Sequence, residues 1–277
     1  MKRALAAGLV ATSIAVGACL FPSVDPLGGT GDAALDAPVE TGVDAAVDVA
    51  PEAAPDAGPC DNDDPSIVAH YLFDEGSGTT IHDCSPHGFD AELTGNNAAT
   101  HWTTGHTGSA VLFVPSDGVC VIVSSAQANQ LGSLTVAAWI TLVDPNGGYV
   151  IGQRQQSGYG WRIDVEGNDA GSDLGFAIGI GDGTGDDYSA DTFVSIGAWH
   201  HVAGVLDESA GTQTLYLDGT PYAAAPAAPT IVEDPLATTI RIGCRGDDSN
   251  YFPGVIDDVR VYARAFSGSE IAALAAE

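Results

Sequence analysis

From Leu134 to Leu142 the chain alternates with a period of two. Leu134, Val136, Ala138, Ile140 and Leu142 share one face, and Thr135, Ala137, Trp139 and Thr141 the other, as successive residues of a strand do. Short runs of β-branched and aromatic residues recur after Cys60: Ile67–Phe73, Val119–Val123, Gly148–Gly152, Gly160–Val165, Leu174–Ile180, Trp199–Leu206, Gln213–Leu217, Thr239–Gly243 and Val255–Tyr262. Gly, Asp and Asn separate them. About ten such strands with hardly a helix predict an all-β domain, two antiparallel sheets packed as a β-sandwich or jelly roll. Residues 60–277 suffice for one core. A short C-terminal helix is also predicted, because Ser267 and Glu270 form a Ser-x-x-Glu capping box ahead of Ile271 and Leu274.

Before Cys60 the pattern is different. Lys2 and Arg3 precede an apolar run, Ala4 to Val16, which is too short to span a bilayer but suits a signal-peptide core. The run ends in Val16-Gly17-Ala18-Cys19, which resembles the bacterial lipobox. The resemblance implies that residues 1–18 are removed, that Cys19 is lipidated, and that the acyl chains are a lipid anchor in the membrane. It places the protein in the cell envelope, at the outer membrane of a Gram-negative bacterium. Residues 19–59 then read as a stalk. Asp32, Asp36, Glu40, Asp44, Asp48, Glu52 and Asp56 recur every fourth position, so a helix would stack like charges, and Pro38, Pro51 and Pro55 interrupt it. Such a segment is self-repelling and extended, with a reach of roughly 130 Å for forty residues at full stretch.

Charge narrows the partners. The chain carries eight basic and 37 acidic residues, a formal net charge of −29; without Lys2 and Arg3 the balance is −31. Nucleic acid is disfavoured, because its phosphates need Lys and Arg. Apart from Cys19, the cysteines are Cys60, Cys84, Cys120 and Cys244. Four cysteines in an exported chain read as two disulfides, and their spacings match no zinc knuckle. Three pairings are open. The preferred one joins Cys60 to Cys84, tying the domain's entrance to its first loop, and Cys120 to Cys244, joining two strands.

Several segments resemble the laminin-G-like jelly roll of the concanavalin A-like lectin/glucanase superfamily. They are Val68-Ala69-His70-Tyr71-Leu72-Phe73-Asp74-Glu75-Gly76-Ser77-Gly78, Asp83-Cys84-Ser85-Pro86-His87-Gly88, Gly105 to Phe113, Leu134 to Ile140, Trp199-His200-His201-Val202-Ala203, Leu215-Tyr216-Leu217-Asp218-Gly219, and Phe252 to Tyr262 followed by Ser267-x-x-Glu270-Ile271. The resemblance runs in order over nearly all of the domain. It implies a structural calcium ion between the turn after the first strand and the last strand, held by Asp74, Asp83 and Asp257 or Asp258 with carbonyls of the Ser85–Gly88 turn. Pro86-His87 departs from the family's Gly-Asn at that turn.

The same superfamily holds glycosidases with paired carboxylates on a strand in a Glu-x-Asp-x-(x)-Glu pattern. The nearest segment is Arg162-Ile163-Asp164-Val165-Glu166, with arginine at the nucleophile position. Asp164 and Glu166 therefore read as the polar face of an ordinary strand, and no enzyme activity is expected. His200 and His201 point to opposite faces of a strand and cannot share a metal. The acidic loop Asp182 to Asp187 reads as a solvated turn. Carbohydrate binding needs an aromatic platform beside polar groups; the candidates are Tyr149, Arg154, Tyr188, Asn250 and Tyr251. The expected function is a non-catalytic binding module for carbohydrate or a surface protein. A polysaccharide-degrading enzyme of the same fold, or a structural envelope lipoprotein, is the alternative.

Overall fold

The computed structural model describes Cys60 and residues 64–123, 132–155, 159–168, 171–179, 186–188, 192–226, 231, 234, 236 and 238–277. The expected signal, Cys19, the stalk and residues 182–185 of the acidic loop lie outside the described residues. Among the latter the chain forms seventeen strands: β1 (Ile67–Tyr71), β2 (Thr80–Ile81), β3 (Ala91–Thr94), β4 (Trp102–Thr104), β5 (Ser109–Phe113), β6 (Cys120–Val123), β7 (Leu134–Leu142), β8 (Gly147–Gln153), β9 (Trp161–Asn168), β10 (Gly171–Gly179), β11 (Asp186–Tyr188), β12 (Thr192–Phe193), β13 (His200–Asp207), β14 (Thr212–Leu217), β15 (Thr220–Pro226), β16 (Ile240–Ile242) and β17 (Gly254–Tyr262). One α-helix, α1 (Gly268–Leu274), follows.

The strands build two antiparallel sheets. The first runs β15-β14-β13-β7-β17-β5-β4, with β1 also on β17; the second runs β11-β10-β9-β8-β16-β6-β3-β2, with β12 also on β10. The alternating residues of β7 point as their period requires: Leu134, Val136, Ala138, Ile140 and Leu142 are fully buried between the sheets. From the second sheet Trp161, Ile163, Phe176 and Ile178 meet them. Gly204 on β13 is needed for this closure, since a Cβ there would lie 2.4 Å from the Phe176 ring.

The other face of the first sheet is covered too. Ala137, Ala203, Val205, Tyr216 and Tyr262 form a second cluster with Phe266, Ile271 and Leu274. Helix α1 supplies the last two, and its capping box is formed: Ser267 N–H donates to Glu270 at 2.7 Å and Glu270 N–H to the Ser267 hydroxyl at 3.4 Å. Arg264 fastens the domain's two ends, binding Asp64 and Glu270 while lying 3.8 Å above the Phe266 ring. Its hydrogen bond holds the Asp64 carboxyl down at about 2.

Cys60 pairs with Cys84, Cα atoms 5.1 Å apart, and Cys120 with Cys244 at 5.4 Å. The second disulfide joins β6 to the end of its neighbour β16, whose Ile242 lies opposite Val121. No helix among the described residues is long and apolar enough to cross a membrane.

Candidate functional site

Strand β9 sends Trp161, Ile163 and Val165 into the core, so Arg162, Asp164 and Glu166 share the outer face of the second sheet. Register on β8 sets Tyr149 opposite Asp164 and Gly147 opposite Glu166. The loop before β17 closes over this corner. The Asn250 carbonyl accepts the Tyr149 N–H at 2.9 Å, and Asn250 adopts φ 47°, a left-handed conformation that asparagine tolerates. Gly148 permits the approach, because a Cβ there would lie 2.4 Å from the Tyr251 carbonyl oxygen. The result is a cleft of about 280 Å³, lined by Asn146, Gly147, Gly148, Tyr149, Asp164, Val165, Glu166, Gly167 and Asn250.

Arg162 sets the electrostatics of the cleft. Its Nε donates to Asp164 at 2.7 Å, its Nη2 lies 3.7 Å from Glu166, and its guanidinium carbon is 5.8 Å from the centre of the Tyr149 ring. Arg162 and Asp164 are buried, whereas the Glu166 side chain is 65% exposed. A guanidinium thus holds the first carboxylate of the pair. A retaining glycosidase needs one carboxyl as proton donor and another free to attack, about 5 Å apart. The cleft instead offers amide, phenol, carboxylate and backbone groups suited to hydroxyls.

Of the expected ligand residues, Tyr149 and Asn250 meet in this cleft. Tyr149 is no exposed platform, being 4% exposed. Arg154 is buried outside the cleft lining, and its carbonyl accepts the Gly246 N–H at 3.0 Å. Tyr251 also stands outside the cleft lining. Its ring packs on Gly118 rather than lining the cleft, and burial pushes its phenol pKa up. Of Tyr188, only the backbone is described, opposite Ala177.

Of the four expected metal ligands, Asp74, Asp257 and Asp258 share one cavity and Asp83 is not in its lining. Both Asp83 oxygens are taken by four donors: the N–H groups of His70, Ser85 and Phe89 and the Ser85 hydroxyl, at 2.6–2.9 Å. Asp258 is clasped by Arg260 through two 2.9 Å bonds and faces the His70 Nε2 at 2.8 Å. Asp257 accepts the N–H groups of His106, Thr107 and Asp258, and Asp74 that of Ser109. Asp74, Asp257 and Asp258 line one cavity of about 170 Å³, together with His106, Trp139 and Arg260. Calcium takes about six to eight oxygens. Among the described residues no group of three or more His, Cys, Asp and Glu could hold a metal ion. As placed, Asp83 caps its turn and Asp258 is ion-paired with Arg260.

The two adjacent histidines separate as a strand requires. His201 is buried edge-on to Trp139, 5.4 Å between centres, and burial pulls it down to about 4. His200 lies between the Ser195 hydroxyl at 2.7 Å and Asp218 at 2.9 Å. This is the order of a serine hydrolase relay, but Ser195 is exposed and the Asp218 side chain is 52% exposed. Water competes with each of these bonds, so nothing but exposed side chains holds the three groups in line.

Two antiparallel sheets with a polar cleft on one outer face define a lectin-like sandwich. Residues 116–272 match the family model of the concanavalin A-like lectin/glucanases superfamily, and the chain belongs to that family. It is similar to a segment of adhesion G-protein coupled receptor V1 of Danio rerio, 30% identical over 150 residues, which is 51% of this chain and 2% of the receptor. Among solved structures, domain 4 of AbnA, an extracellular GH43 arabinanase from Geobacillus stearothermophilus in complex with arabinotriose, superposes with a TM-score of 0.55 at 19% identity. That match covers 76% of this chain and 98% of the other. The binding domain of Paraclostridial mosquitocidal protein 1 gives 0.59 at 17% identity, and a botulinum neurotoxin type C structure, whose cell entry depends on two ganglioside molecules, gives 0.54 at 17%. Each covers 76% of this chain, which spans about half of those toxin chains. At such identities the shared feature is the fold.

Proposed function

We propose that this domain is a non-catalytic module that binds an uncharged carbohydrate in the cleft between β8 and β9, and that residues 19–59 carry it as a stalk from a lipidated Cys19 at the cell envelope. The observation that carries the reading is the cleft itself, where Tyr149, Asn250, Asp164 and Glu166 converge on about 280 Å³ beside a guanidinium. Its carboxylates outnumber the one guanidinium, and the chain's net charge is −29, so acidic sugars are repelled. The ligand class is supported by the similar arabinanase domain, which holds arabinotriose, a neutral sugar. A lipid anchor adds avidity when many copies face one polymer.

The full chain should retain neutral polysaccharides in affinity electrophoresis without releasing reducing ends. Asn250→Ala and Glu166→Gln should each weaken retention. Release of ends that vanishes with Glu166→Gln would replace the binding reading with an enzyme. Retention of no sugar, with capture by a surface protein instead, would replace the ligand class. For the anchor, palmitate labelling should be lost in Cys19→Ala together with membrane association; an unlabelled wild type that still pellets with membranes would refute it.

A further inference from the structure

The outer face of the second sheet continues past the cleft. Register places Glu166 of β9 opposite Asp173 of β10, and Asp173 opposite Phe193 of β12. Directly opposed residues of antiparallel strands share a face. Leu174, the neighbour of Asp173, is in the core opposite the buried Thr192, which confirms that Asp173 and Phe193 point outward. Gly147, Glu166, Asp173 and Phe193 therefore form one row across four strands, beginning in the cleft and ending on an aromatic ring.

Phe193 is 57% exposed. It is a large apolar side chain left facing water on a two-residue strand. Two strand spacings separate it from Glu166, roughly 10 Å, which is more than one sugar ring spans.

We infer that Phe193 is the stacking platform of a second subsite, so that the ligand is a neutral oligosaccharide chain lying across β9, β10 and β12. One ring would occupy the cleft beside Glu166 and Asn250. A later ring of the same chain would lay its C–H face on Phe193. Asp173, half-buried between them, supplies an acceptor for the intervening hydroxyls. A flat aromatic face beside acceptors suits an uncharged ring with an apolar side, and the acidic row disfavours carboxylated or sulfated sugars. This inference rests on the proposed cleft and extends it from a ligand class to a ligand length.

The experiment is calorimetric titration of the full chain with a ladder of neutral arabino- and gluco-oligosaccharides from one unit upward. With wild type, affinity should rise as the chain becomes long enough to reach Phe193. Phe193→Ala should bind the short members as wild type does and the long members about tenfold more weakly, as loss of a ring contact of that size implies. Phe193→Trp should restore the length dependence. Glu166→Gln should weaken every member alike. An unchanged ladder for Phe193→Ala, with the Glu166→Gln loss intact, would overturn the second subsite and leave the cleft standing. Equal loss at all lengths in both variants would also overturn it, because Phe193 would then belong to the first subsite. Binding of no member would overturn cleft and subsite together.

Discussion

Arg162 donates to Asp164 at 2.7 Å with both side chains buried, so the residue standing where a glycosidase would carry its nucleophile cancels the charge of its neighbour. Removing one partner of a buried pair strands the other. Arg162→Met should cost about 3–5 kcal/mol in denaturant unfolding, and Arg162→Met with Asp164→Leu should recover most of it. A single variant within 1 kcal/mol of wild type would show that the pair is hydrated and that the cleft is not organised by it.

Stability should respond to pH through two groups that oppose each other. Burial pushes Asp257 up to about 7, against the N–H groups of Thr107 and His106. Between the unfolded value near 3.9 and 7, the native state keeps a proton that the unfolded chain gives up, so this contribution falls as pH rises. Burial pulls His201 down to about 4. Between 4 and the unfolded value near 6.5, the unfolded chain takes a proton that the native state refuses, so this contribution falls as pH drops. The two partly cancel below 6.5. Asp257→Asn should therefore gain on wild type as pH rises from 4 to 7, and His201→Gln should lose less than wild type on acidification. Urea midpoints across this range decide it; curves parallel to wild type would remove the two residues as its cause.

The Cys120–Cys244 bond closes a long loop, with a separation of 124 along the chain. On the chain-entropy account its loss costs about 4–5 kcal/mol. Cys120→Ser with Cys244→Ser should lower the melting temperature much further than Cys60→Ser with Cys84→Ser, whose separation is 24. Non-reducing peptide mapping of the wild type should give the same two pairs, and any other cross-linked peptide would contradict this topology.

Chelation offers a direct check on the aspartates. With Asp83 and Asp258 saturated by donors, EDTA should leave the melting temperature unchanged, and millimolar calcium should not raise it. A ligand that binds only the native state at a hundredfold excess over Kd would add about 2.7 kcal/mol. A calcium-dependent rise of that order, lost in Asp74→Asn with Asp257→Asn, would return these residues to a metal.

The alternation in β7, the Ser267–Glu270 cap and the ordered motifs from Val68 to Tyr262 were legible because they are local. A period of two and a capping box are written in neighbouring residues, and they predict an all-β sandwich with a terminal helix. Strands such as Thr80–Ile81 and Thr192–Phe193 were not legible, since two residues carry no period and exist only because a longer neighbour pairs with them. The candidate site divides in the same way. Tyr149 and Asn250 were visible as aromatic and amide residues near turns. Their meeting, the burial of Arg154, the packing of Tyr251 on Gly118 and the clasp of Asp258 by Arg260 depend on contacts between strands distant in sequence. Phe193 gave no signal, because the short run Thr192-Phe193-Val194 does not show which of its apolar residues turns to the core. The sequence by itself determined which residues of a long strand such as β7 share a face, because successive side chains alternate. Tertiary structure alone decided which outward residues share a row and which polar groups find partners, because register joins positions that no local pattern links.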